Sequence, residues 1–128
     1  MTAKLNKLIN ELSDAPFVYG KCDCYIFTAR LVEEWHGKSY FMHKVYKNKK
    51  QAIAYMEKFG GLEALTVGTL GYPVRAADCV DGDVAIAKVG PEGSPVLGFV
   101  FNGYALFKGK KKVLKLPLSK CDRGWRIR

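Results

Sequence analysis

The sequence has no hydrophobic run that approaches the roughly 20 apolar residues needed to cross a bilayer. Its first residues, Met1 to Leu5, also lack the charged, apolar and small-residue series of a secretory signal peptide. No internal repeat, linker or low-complexity segment divides the 128 residues. We therefore expect a single domain over residues 1–128, without a membrane span and made in the cytosol.

Histidine and paired cysteines are also scarce. The chain has two histidines, and its four cysteines form one Cys-x-Cys, Cys22 and Cys24, with two distant single residues, Cys79 and Cys121. This spacing lacks the paired Cys-x-x-Cys knuckles of a zinc site, and disulfides are not expected in a reducing cytosol. We predict no cofactor and no metal site in the chain itself. Whether the four cysteines stay free thiols or bind a metal within an assembly is left open by the sequence.

Basic residues outnumber acidic ones, and the net charge is +9. Such an excess indicates an anionic partner, such as nucleic acid, a wall or membrane polymer, or an acidic protein surface. No arginine-rich or RNP-type motif accompanies it, so we predict that the densest lysine runs are solvated faces. These runs comprise Lys47, Lys49 and Lys50, and then Lys108, Lys110, Lys111, Lys112 and Lys115.

The first half of the chain has helical periodicity. Apolar spacing predicts an amphipathic helix from Ala3 to about Ser13 and a second, buried helix from Cys24 to a stop at Gly37. Asn48 is expected to cap a third helix to about Phe59, followed by a short helix over 62–67. In the third helix, the residues predicted to face inward are Ala52, Ile53, Met56 and Phe59.

From Val84 the apolar period changes to two, which predicts strands. We expect strands over 84–89, 96–101, 104–108, 112–117 and 125–128, with Asn102-Gly103 as a two-residue hairpin turn. Helices followed by an antiparallel meander indicate an α+β fold, with a helical part over 1–80 and a β-meander or small barrel over 81–128.

The stretch from Pro16 to Phe27 carries the strongest chemical signal. An extended aromatic segment turns at Gly20 and enters a helix through Asp23 and Cys24. Asp23 is suited to cap the helix, and free N–H groups in the first turn favour a thiolate at Cys24. A buried, inert cysteine is the alternative, and Cys22 could be either a resolving thiol or a packed residue.

Three marks in order resemble the NlpC-type cysteine peptidases of the papain-like superfamily: Tyr19-Gly20 before Asp23-Cys24, then Gly82-Asp83-Val84, then Gly98-Phe99-Val100. More narrowly, Gly60-Gly61-Leu62 and the Cys-x-x-x-Trp of Cys121 to Trp125 resemble a phage-encoded branch from tail-gene clusters. The resemblance implies a papain-like fold and a place in the virion tail after synthesis in the host cytoplasm. It also implies phage tail proteins as partners, with peptidoglycan as a possible second one.

The resemblance assigns Cys24 as the nucleophile, Asp23 as the residue before it, and Gly82 and Asp83 as a structural turn. In the family a histidine stands two places before the glycine that matches Gly98, and here that place is Val96. A continuous helix would place His36 about 18 Å from Cys24. His43 is therefore the remaining imidazole candidate, and the nearby polar candidates are Tyr19, Asp83 and Asn102.

Three functions follow from these observations. The one we favour is a structural or binding module of a phage tail that has lost the catalytic base, since the site and not the fold determines function. The second is an active endopeptidase that cleaves peptidoglycan peptides during phage entry. The third, which depends on charge alone, is a nucleic-acid-binding protein.

Overall fold

The computed structural model describes residues 2–41 and 45–127. Within them, four α-helices precede a five-stranded antiparallel sheet, which confirms the α+β class. No helix among these residues is long and apolar enough to cross a membrane. The helices are α1 (Thr2–Asp14), α2 (Cys24–His36), α3 (Lys49–Lys58) and α4 (Leu62–Leu70), and the strands are β1 (Val84–Ala87), β2 (Val96–Phe101), β3 (Tyr104–Lys108), β4 (Val113–Pro117) and β5 (Arg123–Trp125).

The helix ends follow their capping residues. The Asn48 side chain accepts the Gln51 N–H at 2.9 Å, and Gly37 ends α2 in the left-handed conformation, with φ of 75°. The fourth helix continues to Leu70, three residues beyond the predicted end at residue 67. This helix also stops at a glycine, Gly71, which has φ of 96° and whose N–H donates to the Val67 carbonyl.

The predicted inward face of α3 is partly wrong. Ala52 is buried, but Ile53 is 48% exposed and Phe59 is 44% exposed. The helix packs against α4, and the Tyr55 ring lies 6.2 Å from the ring of Tyr46 in the preceding loop. This contact turns the Ala52 and Tyr55 side inward, so that Ile53 lies on the neighbouring, solvent-facing side of the helix.

The sheet order is β4-β3-β2-β1-β5, so the first four strands form a meander and β5 returns beside β1. The Asn102-Gly103 turn joins β2 and β3 with positive φ at both residues, as the hairpin prediction requires. Strand β1 ends at Ala87 instead of residue 89, because the chain turns out through the Gly90 to Ser94 hydrogen bond. The last strand is 123–125 and not 125–128, and Gly124 pairs with both Ala85 and Val74.

Helix α2 lies across the middle of the sheet and thereby positions Cys24, its first residue. Near its start, the Thr28 hydroxyl donates to the Leu97 carbonyl at 3.1 Å. At its end, the His36 Nε2 atom lies 2.8 Å from the Gly82 carbonyl oxygen. The start of the helix therefore meets the beginning of β2, and its end meets the beginning of β1.

The prediction that the lysine runs are solvated is wrong for Lys108, which is buried. It is 4% exposed, and its ammonium group donates to the carbonyls of Leu12, Ser13 and Ala15 at 2.8, 3.0 and 2.6 Å. The end of α1 leaves carbonyls without intrahelical partners, and a cation there also matches the helix dipole. Lys108 thus fastens the end of α1 to the sheet, while Lys110, Lys111 and Lys112 are exposed.

Candidate functional site

Cys24 occupies the first position of α2, as the sequence predicts, and Asp23 is the N-cap. The Asp23 carboxylate is 1% exposed and accepts the N–H of Ile26 at 2.9 Å and the N–H of Gly20 at 2.9 Å. Gly20 has φ of 86°, and a side chain there would collide with the Tyr46 carbonyl. The turn and the cap together position the Cys24 thiol at the start of α2.

The loop before α3 packs over this turn. The Tyr46 hydroxyl donates to the second oxygen of Asp23 at 2.7 Å, and the rings of Tyr46 and Phe41 both lie against Tyr25. The described part of this loop therefore packs on the N-cap and first turn of α2. His43, the candidate base, lies in the gap at 42–44 outside the described residues.

Cys24 is partly exposed and lines a cavity of about 640 Å³ at one end of the sheet. The cavity walls are largely apolar and aromatic, and include Phe17, Tyr19, Val96, Phe107 and Leu114. Gly98 permits this arrangement, because a side chain there would meet the Phe107 ring across the β2–β3 pair. The volume falls within the roughly 300–1,000 Å³ of ordinary small-molecule sites.

The expectation that the start of the helix favours a thiolate at Cys24 is corrected by the structure, in which the pKa of this thiol is raised. Burial, and then the negative charge of Asp23, raise the pKa of Cys24 to about 12. Backbone N–H groups of Tyr25, Cys24 and Leu97 act in the opposite direction but do not offset the loss of water. Burial likewise raises the pKa of the neighbouring Tyr19 hydroxyl, so the inner cavity opposes negative charge.

Other predicted candidates lie away from the thiol. Asp83 is buried at the start of β1, where it pairs with Arg126 at 3.0 Å and accepts the N–H of Ile127. Gly82, beside it, packs under the Trp35 ring near the end of α2. Asn102 is at the opposite end of β2 from Val96, and His36 is at the opposite end of α2. The structure therefore groups Tyr19, Gly20, Asp23 and Cys24, but not Gly82 or Asp83.

The four cysteines do not form a cluster that could hold a metal. Among the residues that the structure describes, no group of three or more His, Cys, Asp or Glu side chains has that arrangement. Cys22 is buried and its sulfur lies 3.5 Å from the Leu12 carbonyl, which favours the packing role over that of a resolving thiol. All four cysteines are free thiols here.

We expect Cys24 to be alkylated by iodoacetamide at pH 7 on the order of a hundredfold more slowly than an exposed cysteine. The higher pKa removes thiolate, and the greater nucleophilicity of a more basic thiolate only partly compensates. Because the folded-state pKa lies above the usual value, the rate should still climb between pH 9 and 11 without a plateau. Peptide mapping by mass spectrometry measures the alkylation rate at Cys24. The Cys22→Ala variant removes the second thiol from the same peptide. Fast alkylation that levels off below pH 8 would contradict the raised pKa.

Two contributors to the site were missed in the sequence. No local pattern indicates the hydrogen bond from Tyr46 to Asp23, since the two residues are 23 positions apart. The lysines at 110–112 are exposed, as predicted, but they also line the cavity. Their position depends on the β3–β4 hairpin lying beside α2, which local spacing does not reveal.

Comparisons with known proteins agree with this fold. Among solved structures, the chain is similar to the crystal structure of the NlpC/p60 domain of the peptidoglycan hydrolase SagA, with 15% identity and a TM-score of 0.56. The match covers 98% of this chain and 97% of that one, and it shows the papain-like NlpC-type fold. No curated protein matches the chain. A family model matches residues 1–127, and the chain therefore belongs to the family described as a domain of unknown function, DUF6950.

Proposed function

We propose that the protein is a binding module that uses the NlpC-type fold without hydrolysing its ligand. The observation that carries this proposal is the Cys24 thiol in a largely apolar cavity, with a pKa of about 12. Burial therefore keeps this thiol protonated near neutral pH. A nucleophile in that state needs a general base to act at a useful rate.

No histidine, aspartate or glutamate among the described residues lines the cavity. Val96 lines the cavity at the start of β2, where the family resemblance predicts the histidine. Loss of a general base typically removes 10²–10⁴-fold of rate. An apolar wall and a protonated thiol instead suit a site that encloses a ligand.

The proposal predicts that the wild-type protein and Cys24→Ala release peptides from purified peptidoglycan equally, at background level. Reverse-phase chromatography of the soluble fraction measures the release, with a known peptidoglycan hydrolase as the positive control. Release above background that is lost in Cys24→Ala would contradict the proposal. In that case His43→Ala would show whether that histidine acts as the base.

The second candidate is the cysteine endopeptidase itself, and one observation favours it. The backbone N–H groups of Cys24 and Leu97 act on the sulfur at the start of α2, a place where N–H donors could also stabilise an oxyanion. The similar SagA domain comes from a peptidoglycan hydrolase, which makes peptidoglycan a plausible partner here. The Cys24→Ala comparison decides between the two candidates.

A place in a phage tail, with tail structural proteins as partners, is the part of the proposal that depends on the sequence resemblance alone. Mass spectrometry of purified phage particles tests it, and absence of the chain from intact tails would contradict it. Nucleic-acid binding is supported only by the net charge of +9. It predicts duplex DNA affinity that falls steeply with salt.

A further inference from the structure

We propose that the cavity beside Cys24 binds a single-chain aliphatic carboxylate, with the chain inside and the carboxylate at the Lys110 to Lys112 mouth. This inference depends on the proposed binding function and names its ligand class. Three features of the cavity carry it: apolar walls, a cationic mouth, and few polar groups inside that a more polar ligand could use.

The cationic mouth is available to a ligand. Lys110, Lys111 and Lys112 line the cavity and are exposed, and no ion pair joins any of them to another residue in the described part of the chain. Lys108 differs, because its ammonium group already donates to three carbonyls at the end of α1. Three lysines at one turn therefore present positive charge to an anionic group.

The inner part of the cavity accepts an uncharged chain. Phe17, Val96, Phe107 and Leu114 provide apolar surface, and burying a chain against it is favourable. A negative charge next to Cys24 would lie beside the buried Asp23 carboxylate, which repels it. The ligand's anionic end is thus directed outward, to the lysines.

A peptide fits these walls less well than an alkyl chain. Each peptide residue buries an N–H and a carbonyl that need partners. Two backbone groups near the cavity already have partners, since the Gly90 N–H donates to the Ser94 carbonyl at 2.9 Å and the Leu97 carbonyl accepts from Thr28. The hydroxyls of Tyr19 and Ser94 remain as polar groups in the lining, which are few for a chain of amides.

Isothermal titration calorimetry of the full chain with octanoate, decanoate and dodecanoate tests the proposal. Each two added methylenes should tighten binding about fifteenfold until the cavity is filled. Bound dodecanoate should also slow methanethiosulfonate modification of Cys24, since the chain covers the thiol. A peptide with apolar residues and a free carboxylate that binds more tightly than dodecanoate would overturn the inference.

The lysine contribution is tested with Lys110→Gln, Lys111→Gln and Lys112→Gln combined. This variant should bind dodecanoate about tenfold more weakly and bind dodecanol as wild type does. The matched control is a triple variant with the same loss of net charge, Lys47→Gln, Lys49→Gln and Lys50→Gln combined. It should leave the affinities for dodecanoate and dodecanol unchanged. Equal weakening by the two triple variants would overturn the role of the mouth.

The shape of the cavity is tested with Val96→Trp, which should abolish binding by filling it. If this variant unfolds, protection of Cys24 in the wild type provides the independent measurement, and no protection at saturating dodecanoate would overturn the inference. Failure here is distinct from failure of the proposed function. Absence of dodecanoate binding together with background peptide release removes only this ligand class, whereas Cys24-dependent peptide release removes the non-hydrolytic function.

Discussion

Replacing Asp23 with alanine should lower the free energy of unfolding by about 3–5 kcal/mol. The carboxylate is 1% exposed and accepts three hydrogen bonds, from the N–H groups of Gly20 and Ile26 and from the Tyr46 hydroxyl. Hydrogen bonds to a charged group contribute about 1.5–3 kcal/mol each, and loss of an N-cap costs about 0.5–2 kcal/mol. Urea unfolding followed by circular dichroism measures the change.

Asp23→Asn separates the capping and charge contributions. The amide oxygen can still accept from Ile26, but the amide nitrogen cannot accept from Gly20, so this variant should lose about 1–3 kcal/mol. Both variants remove the charge that helps to raise the pKa of Cys24, so the folded variants should alkylate faster at pH 8 than wild type. The exposed Asp14→Ala should stay within about 0.5 kcal/mol of wild type. An Asp23→Ala protein as stable as wild type would show that these bonds contribute no net stability.

Replacing Lys108 with methionine should also cost about 3–5 kcal/mol of stability. Methionine preserves most of the volume but leaves the carbonyls of Leu12, Ser13 and Ala15 without the ammonium donor. A buried polar group that loses its partner costs about 1–3 kcal/mol. Amide hydrogen exchange should locate the effect, with α1 losing more protection than α2.

Lys88→Met is the matched control, since Lys88 is exposed directly after β1. It should change stability by less than about 0.5 kcal/mol. Replacing buried ionic groups with apolar ones is neutral in some proteins, because the cost of removing the ion from water disappears with it. A Lys108→Met protein as stable as wild type, with unchanged amide exchange in α1, would contradict this prediction. It would show that Lys108 is one of the buried ionic groups that contribute no net stability.

Local chemistry accounts for the elements that sequence patterns predicted well. Asn48 and Asp23 cap helices through bonds to residues three positions ahead, and Asn102-Gly103 adopts the positive φ that a two-residue hairpin turn requires. These interactions are complete within one turn, so they can be read in the chain. Periodicity similarly predicted the order of helices and strands, because it reflects which face of each element is apolar.

Burial and long-range pairing account for the rest. Ile53 and Phe59 fit an inward stripe by spacing, yet the packing of the Tyr55 ring near Tyr46 turns a neighbouring side of α3 inward and leaves both exposed. Conversely, Lys108 belongs to a lysine run, yet it meets α1 about 95 positions earlier in the chain and is enclosed there. Periodicity cannot determine which of several faces meets a distant element.

The sequence by itself determined where Cys24 stands: after an N-cap, at the start of a core helix, in a chain with the NlpC order of motifs. Only the tertiary structure decided the chemical state of that thiol. The helix start stabilises a thiolate through local N–H groups, which a sequence shows, but β2, β3 and the segment before α2 form walls that reduce the contact of the thiol with water. Desolvation outweighs the helix end because it depends on every distant element that packs around the atom.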